Sequence, residues 1–135
     1  MGVSVVPLHV WRLMPALPMP VFGVYLLHVA SGVQLNVRTL PAQAALSADA
    51  FAAASMRYLD GGWPGPRRIT TFAIDGGLRG AVGVYDDAMP GAIVREWLIT
   101  DGTRLLNAAA YATARQWEDR LLDDAEALLR SLRFE

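Results

Sequence analysis

The stretch AIVREWLITDGTRLLNAAAY, residues 92–111, carries the strongest local structural signal in the chain. Two runs of strand-forming residues, Ala92 to Ile99 and Arg104 to Tyr111, flank the segment TDGT at positions 100–103. Asp-Gly between two strands favours a tight hairpin, because both residues accept the positive φ angles that such turns need. The sequence therefore predicts an antiparallel pair of strands here.

A second hairpin is predicted directly before the first. Strands over Arg68 to Ile74 and Leu78 to Tyr85 meet at the turn DGG, residues 75–77. This glycine-rich turn lies between two strands rather than before a helix, so it indicates a hairpin and not a phosphate-binding loop. Residues 86–91 (DDAMPG) are expected to form an exposed loop between the two hairpins.

The chain ends in a predicted long helix, from Ala114 to about Leu132. Thr113 and Gln116 have the spacing of a capping box, which satisfies free amides at a helix start. Asp123 and Asp124 fall on the charged face and are interpreted as solvated. Spacings of three and four residues place a stripe of apolar side chains on the other face, which we expect to pack against the sheet: Trp117, Leu121, Ala125, Leu128 and Leu132.

A shorter helix and three further strands are predicted upstream. The helix runs from Ser47 to Leu59, with the Ser47 hydroxyl as its N-cap. Apolar and polar residues alternate from Val33 to Thr39, which is typical of a strand with one buried and one wet face. Leu8 to Leu13 and Val21 to Val29 are interpreted as strands, the second as a strand buried on both faces.

Residues 1–30 also admit a second interpretation, as a signal or membrane-anchor segment. From Leu13 to Ala30 no residue carries a formal charge, over nearly the length of a membrane span. However, Pro15, Pro18 and Pro20 would break a helix there, and no basic cluster precedes the segment. We therefore expect residues 1–30 to stay on the mature protein as folded β structure, in the cytoplasm and without membrane contact.

Composition excludes several classes of protein. The 135 residues predict a single domain over 1–135, and 53% of them are apolar, which excludes intrinsic disorder. The net charge is −1, so no basic field attracts nucleic acid, and none is expected as a partner. Cysteine and lysine are absent, which excludes disulfides, thiolate metal sites and lysine Schiff bases.

Motifs for catalysis or cofactors are not found in the sequence. It contains no nucleophile elbow, phosphate loop, dinucleotide fingerprint or zinc-ligand spacing. The histidines His9 and His28 have no cysteine or acidic residue at a ligand spacing, so neither is predicted to bind metal. We expect no catalytic residues, no metal and no cofactor.

Together these elements predict an α+β domain, with an antiparallel sheet of about six or seven strands flanked by one short and one long C-terminal helix. A strand over residues 33–38 leads into the Ser47 helix, residues 74–76 (IDG) are followed by Gly80 and Ala81, and residues 127–134 (ALLRSLRF) end the chain. In these features, residues 33–134 resemble the PsbP-like α/β sandwich of extrinsic photosystem proteins, the yeast Ran-binding import factor and DcrB-type bacterial proteins.

The resemblance implies a fold but no shared catalytic residues. This chain departs from the family in two ways, since it lacks the lipoprotein cysteine of many bacterial members and the usual proline-glycine-tryptophan entry to the domain. A helix-grip or cystatin-like fold is the alternative, and those folds enclose a ligand cavity.

Two candidate interaction surfaces stand out in the sequence. Arg67 and Arg68 lie close to Trp63, and arginine beside an aromatic ring can bind phosphate or stack on a base. Arg95 and Trp97 share one face of a predicted strand, and both residue types are enriched at binding hot spots. We interpret these five residues as possible interaction residues on the surface.

The sequence favours a non-catalytic binding or interaction protein whose partner is not identified. The alternative is a small-molecule carrier or an enzyme with a cavity between the sheet and the C-terminal helix. A homodimer is expected, since large exposed apolar patches usually mark interfaces. Trp97 and the strand Val21 to Val29 are the first candidates for that contact, and a monomer is the alternative.

Overall fold

The computed structural model describes residues 3–4, 10–14, 23–40, 47–60 and 63–134. Within these ranges the chain forms the strands β1 (Val3–Ser4), β2 (Trp11–Leu13), β3 (Gly23–His28), β4 (Gln34–Leu40), β5 (Arg67–Phe72), β6 (Arg79–Met89), β7 (Ala92–Thr100), β8 (Leu105–Ala112) and β9 (Arg133–Phe134). Helix α1 covers Ala48–Asp60, and helix α2 runs through Ala114–Gln116, a π-helical turn Trp117–Leu121 and Leu122–Arg130.

Seven of these strands form one antiparallel sheet in the order β2-β3-β4-β8-β7-β6-β5. Helix α1 carries the chain from β4, inside the sheet, to β5 at its edge. Strands β5 to β8 then return as a meander, so that β8 pairs with β4, with Val37 opposite Ala108. The short strands β1 and β9 pair with each other. The predicted α+β class, with seven strands, a short helix and a longer C-terminal helix, is confirmed.

The two faces of the sheet carry separate cores, because side chains alternate along each strand. Helix α2 covers one face, here called the α2 face, and α1 covers part of the opposite α1 face. The larger core lies under α2 and includes Leu35, Val37, Trp97, Ile99, Leu106, Trp117, Leu121 and Leu128. The smaller core lies under α1 and includes Phe51, Leu59, Ala81, Tyr85, Val94 and Leu98.

Helix α2 begins and packs as the sequence predicts. The Thr113 hydroxyl accepts from the amide of Gln116 at 3.2 Å, and the Gln116 side chain accepts from the amide of Thr113 at 3.0 Å. The five residues of the predicted apolar stripe are all buried. The predicted N-cap of α1 is also present, since the Ser47 hydroxyl accepts from the amide of Ala50 at 3.1 Å.

The expected loop over residues 86–91 is wrong, because β6 continues to Met89. The pairing with β7 shifts register between Tyr85 and Met89, and Asp87 takes a positive φ of 58° in this irregularity. Strand β5 pairs with β6 only as far as Tyr85, so the rest of β6 has one neighbour and keeps its acidic side chains near solvent. The turn itself lies at Pro90 and Gly91.

The N-terminal strands join the sheet at one edge. β3 was expected to be buried on both faces, but its burial alternates, with Leu26 buried and the adjacent Leu27 partly exposed. β2 is confined to Trp11–Leu13 within the predicted strand, and the proline-rich connector over 15–20 lies outside the described residues. Among the described helices, none has the length and apolar character needed to cross a membrane.

Candidate functional site

A cavity of about 260 Å³ opens on the α1 face, where β3, β4, β7 and β8 lie side by side. Trp63, in the segment that follows α1, lies against it. The polar and aromatic side chains that line this cavity, here called the Glu96 cavity, are Tyr25, Asn36, Arg38, Trp63, Glu96 and Asn107. Strand alternation explains the grouping, since Asn36 and Arg38 of β4 point to the same side as Asn107 of β8.

Glu96 lies buried among these residues, with only 5% of its surface exposed. Its Oε2 accepts a hydrogen bond from Asn107 Nδ2 at 3.2 Å, whereas its Oε1 is buried with no hydrogen-bond partner among the described residues. The cross-strand neighbours of Glu96 are Gly83 on β6 and Ala109 on β8. The ring of Tyr85 fills the space over Gly83, whereas Ala109 lines the cavity.

Burial raises the pKa of the Glu96 carboxyl, because the charged form is poorly solvated in the protein interior. The hydrogen bond from Asn107 and the positive charge of Arg38 both act to lower that pKa. The pKa of Glu96 is nevertheless raised, so Asn107 and Arg38 together do not offset the cost of burying the charged carboxylate.

Arg38 is held away from the Glu96 carboxyl by two other partners. Its Nε donates to Asn107 Oδ1 at 2.9 Å, and its Nη2 donates to the hydroxyl of Tyr58 on α1. Burial raises the pKa of Tyr58, and Tyr85 donates to the carbonyl of Leu59 on the same helix. These contacts fix α1 and Arg38 beside the cavity.

Glu96→Gln is expected to remove a pH dependence of stability. Because the folded state raises the pKa of Glu96, the folded chain holds that proton more tightly than the unfolded chain does. The free energy of unfolding therefore falls as the pH rises from the ordinary glutamate pKa through the raised one. Relative to the wild type, Glu96→Gln should gain stability between about pH 4 and about pH 7, as measured by urea unfolding.

Glu118→Gln is the matched control, since Glu118 is exposed on α2. A Glu96→Gln variant whose stability difference from the wild type is the same at both pH values would contradict the raised pKa.

The structure separates the predicted cluster of Trp63, Arg67 and Arg68. Trp63 lines the Glu96 cavity, Arg67 forms an ion pair with Asp60, and Arg68 lies 3.3 Å from Asp86. Adjacent residues of β5 point to opposite faces of the sheet, so the two arginines do not form one binding surface.

Arg95 and Trp97 do share a face, but that face is covered by α2. Trp97 is 1% exposed, with its ring centroid 6.2 Å from that of Trp117. The Arg95 guanidinium lies 5.4 Å from the Trp117 ring centroid, and burial lowers the pKa of Arg95. The expectation that Trp97 lies on an exposed sheet surface is therefore wrong, because the long helix packs there.

A second buried polar group joins β3 to α2. His28 is buried, and its Nε2 lies 2.7 Å from Asp124 Oδ2 while its Nδ1 lies 2.7 Å from the Ser31 hydroxyl. A carboxylate only accepts, so Nε2 is the donor in the first of these hydrogen bonds. The interpretation of Asp124 as a solvated residue is wrong, since its carboxylate is the partner of a buried histidine.

Ser31, His28 and Asp124 are the residue types of a hydrolase triad. However, the amides of the turn that carries Ser31 form hydrogen bonds within that turn. The amide of Gly32 donates to the His28 carbonyl at 2.8 Å, and the amide of Val33 donates to the Ser31 hydroxyl at 3.2 Å. A triad enzyme presents such amides to a substrate oxyanion. We interpret the group as a structural link between the β3–β4 turn and α2.

Comparison of the chain with known protein families and with curated proteins gives no match. In the part of the chain that the structure describes, no group of three or more histidine, cysteine, aspartate or glutamate side chains is arranged to hold a metal ion.

Proposed function

We propose that this protein is a non-catalytic binding domain and that the Glu96 cavity holds a small molecule. The observation that carries the proposal is the buried Glu96 Oε1, which has no hydrogen-bond partner among the described residues and belongs to a side chain that lines the cavity. Buried polar atoms in folded proteins nearly always have a partner, and leaving one without costs about 1–3 kcal/mol. A bound molecule that donates to Oε1 would recover that cost.

The described lining favours binding over catalysis. It contains one carboxyl group, no histidine and no cysteine or serine. Acid–base and nucleophilic catalysis rely on a reactive group with a partner that exchanges or accepts its proton. Glu96 instead has an amide, Asn107, as its hydrogen-bond partner, which orients a carboxyl group without taking up its proton.

The alternative function, a small-molecule carrier or an enzyme with a cavity between the sheet and the C-terminal helix, is less well supported. The sheet face beneath α2 is filled by large side chains, with Trp97, Trp117 and Leu121 all buried. The Glu96 cavity lies on the other face, so a carrier function would use the α1 side of the sheet.

The proposal is tested by filling the cavity. Ala109 lines it and stands beside Glu96 in the adjacent strand, so Ala109→Phe would project a ring into the space. Ala127 is exposed on α2, on the other side of the sheet, and Ala127→Phe is the matched control. In a ligand-observed NMR screen of small polar molecules, we expect hits on the wild type that Ala127→Phe retains and Ala109→Phe loses.

The proposed function is wrong if no molecule in that screen binds the wild type, or if the hits bind a folded Ala109→Phe variant equally well. Circular dichroism and urea unfolding establish that each variant is folded.

We also propose that the chain is a cytoplasmic homodimer with a PsbP-like fold. The order of strands and helices supports the fold, and exposed apolar side chains support self-association. Leu13 of the edge strand β2 is 66% exposed and Val24 of β3 is 41% exposed, so this part of the sheet replaces buried Trp97 as the proposed contact. Light scattering should give about twice the chain mass of 14.6 kDa, and a mass of 14.6 kDa would exclude the dimer.

A further inference from the structure

We infer that the Glu96 cavity selects a ligand with a positively charged amino group, whose ammonium donates to Glu96 Oε1 while its apolar part contacts Tyr25 and Trp63. This inference rests on the proposed binding function and adds the chemical class of the ligand. It follows from the hydrogen bonds, the charges and the walls of the cavity.

The nearest donor, Asn107, has no hydrogen left for Oε1. Asn107 Nδ2 carries two hydrogens, and it donates to Glu96 Oε2 and to the carbonyl of Trp97, both at 3.2 Å. Its Oδ1 accepts from Arg38, which fixes the orientation of the amide. Asn107 therefore cannot donate to Oε1, and no other described side chain does so.

The charge of the Glu96 carboxylate is poorly compensated by the protein. Arg38 is a cation that lines the cavity, but its Nε donates to Asn107 and its Nη2 donates to Tyr58. It is also an exposed residue of β4, so solvent screens its charge. Burial keeps the pKa of Glu96 raised in spite of Arg38, so a second positive charge at Oε1 would stabilise the carboxylate. A neutral donor would supply the hydrogen bond without that gain.

The walls of the cavity suit a cation with an apolar part. Tyr25 and Trp63 line the cavity together with Glu96, and the faces of such rings attract cations as well as apolar groups. At about 260 Å³ the cavity is slightly below the ~300–1,000 Å³ typical of pockets for drug-sized ligands, which favours a ligand with one ring or fewer. A compact primary amine meets all three requirements.

Three probes of matched shape and different charge test the inference: benzylamine, which is cationic at neutral pH, neutral benzyl alcohol, and anionic benzoate. Dissociation constants are measured by NMR titration of the wild type, Glu96→Gln and the exposed control Glu118→Gln. We expect benzylamine to bind the wild type at least about tenfold more tightly than benzyl alcohol, the factor typical of a hydrogen bond to a charged group. Glu96→Gln should abolish that preference, and Glu118→Gln should retain it.

The other outcomes separate this inference from the proposed function. If benzyl alcohol binds as tightly as benzylamine, or benzoate binds best, the inference is wrong while small-molecule binding stands. The inference also fails if Glu96→Gln keeps the preference for benzylamine. If no probe binds although the broader screen yields ligands that Ala109→Phe loses, the amine class alone is excluded. If neither the probes nor the screen gives binding, both proposals fail.

Discussion

Replacing Trp117 by alanine is expected to lower the free energy of unfolding by about 3–5 kcal/mol, the usual cost of deleting a buried tryptophan. Trp117 is 2% exposed, and its ring packs edge-on against Trp97. Its indole Nε1 donates to the carbonyl of Ile93 at 2.9 Å, so the substitution leaves a cavity and also removes this hydrogen bond. Urea unfolding followed by circular dichroism gives the difference directly.

Tyr111→Ala is the matched control for this substitution. Tyr111 is an aromatic residue of β8 at the same end of the sheet, but it is 55% exposed. Its removal should change the free energy of unfolding by no more than about 0.5 kcal/mol. A loss below about 1 kcal/mol for Trp117→Ala would show that α2 does not hold the core together through this ring.

The sequence predicted the elements whose signals are local. The capping box at Thr113 and Gln116 and the apolar stripe of α2 depend on spacings within one helix, and both are present in the structure. The hairpin at residues 100–103 depends on turn residues that no tertiary contact overrides. In each case the physical cause lies within a few residues of the element itself, which is why a single sequence was sufficient.

The candidate site was missed because its causes are not local. Alternation along β7 correctly put Arg95 and Trp97 on one face. It did not tell which face α2 would cover, so the buried face was interpreted as the surface. The neighbours of Glu96 come from β4 and β8, and only the pairing of β4 with β8 after the α1 crossover brings Arg38 next to Asn107.

One signal in the sequence could have pointed to the site. Glu96 is the single charged residue among the strand positions of its face, between Val94 and Leu98, and both of these are buried. A carboxyl group flanked in this way is rarely buried without a partner. The same reasoning applies to His28, which the sequence placed in an apolar run, but its partner Asp124 is 96 residues away in the chain.

The His28–Asp124 pair leads to the second large effect on stability. Asp124→Ala removes the acceptor of His28 Nε2, which then stays buried under α2 without a partner. Leaving a buried donor unpaired costs about 1–3 kcal/mol, and we expect the free energy of unfolding to fall by that amount. Asp124→Asn keeps an oxygen acceptor of nearly the same shape and should cost less than Asp124→Ala.

Asp123→Ala separates this hydrogen bond from the helix itself. Asp123 is exposed and immediately precedes Asp124 in α2, so both alanine variants gain the same helix propensity and lose one negative charge. Only Asp124→Ala loses the bond to His28. Urea unfolding at one pH should therefore place Asp123→Ala close to the wild type and Asp124→Ala well below it. Equal stabilities for the two variants would mean that the pair does not fasten α2 to β3, and the buried His28 would then need another explanation.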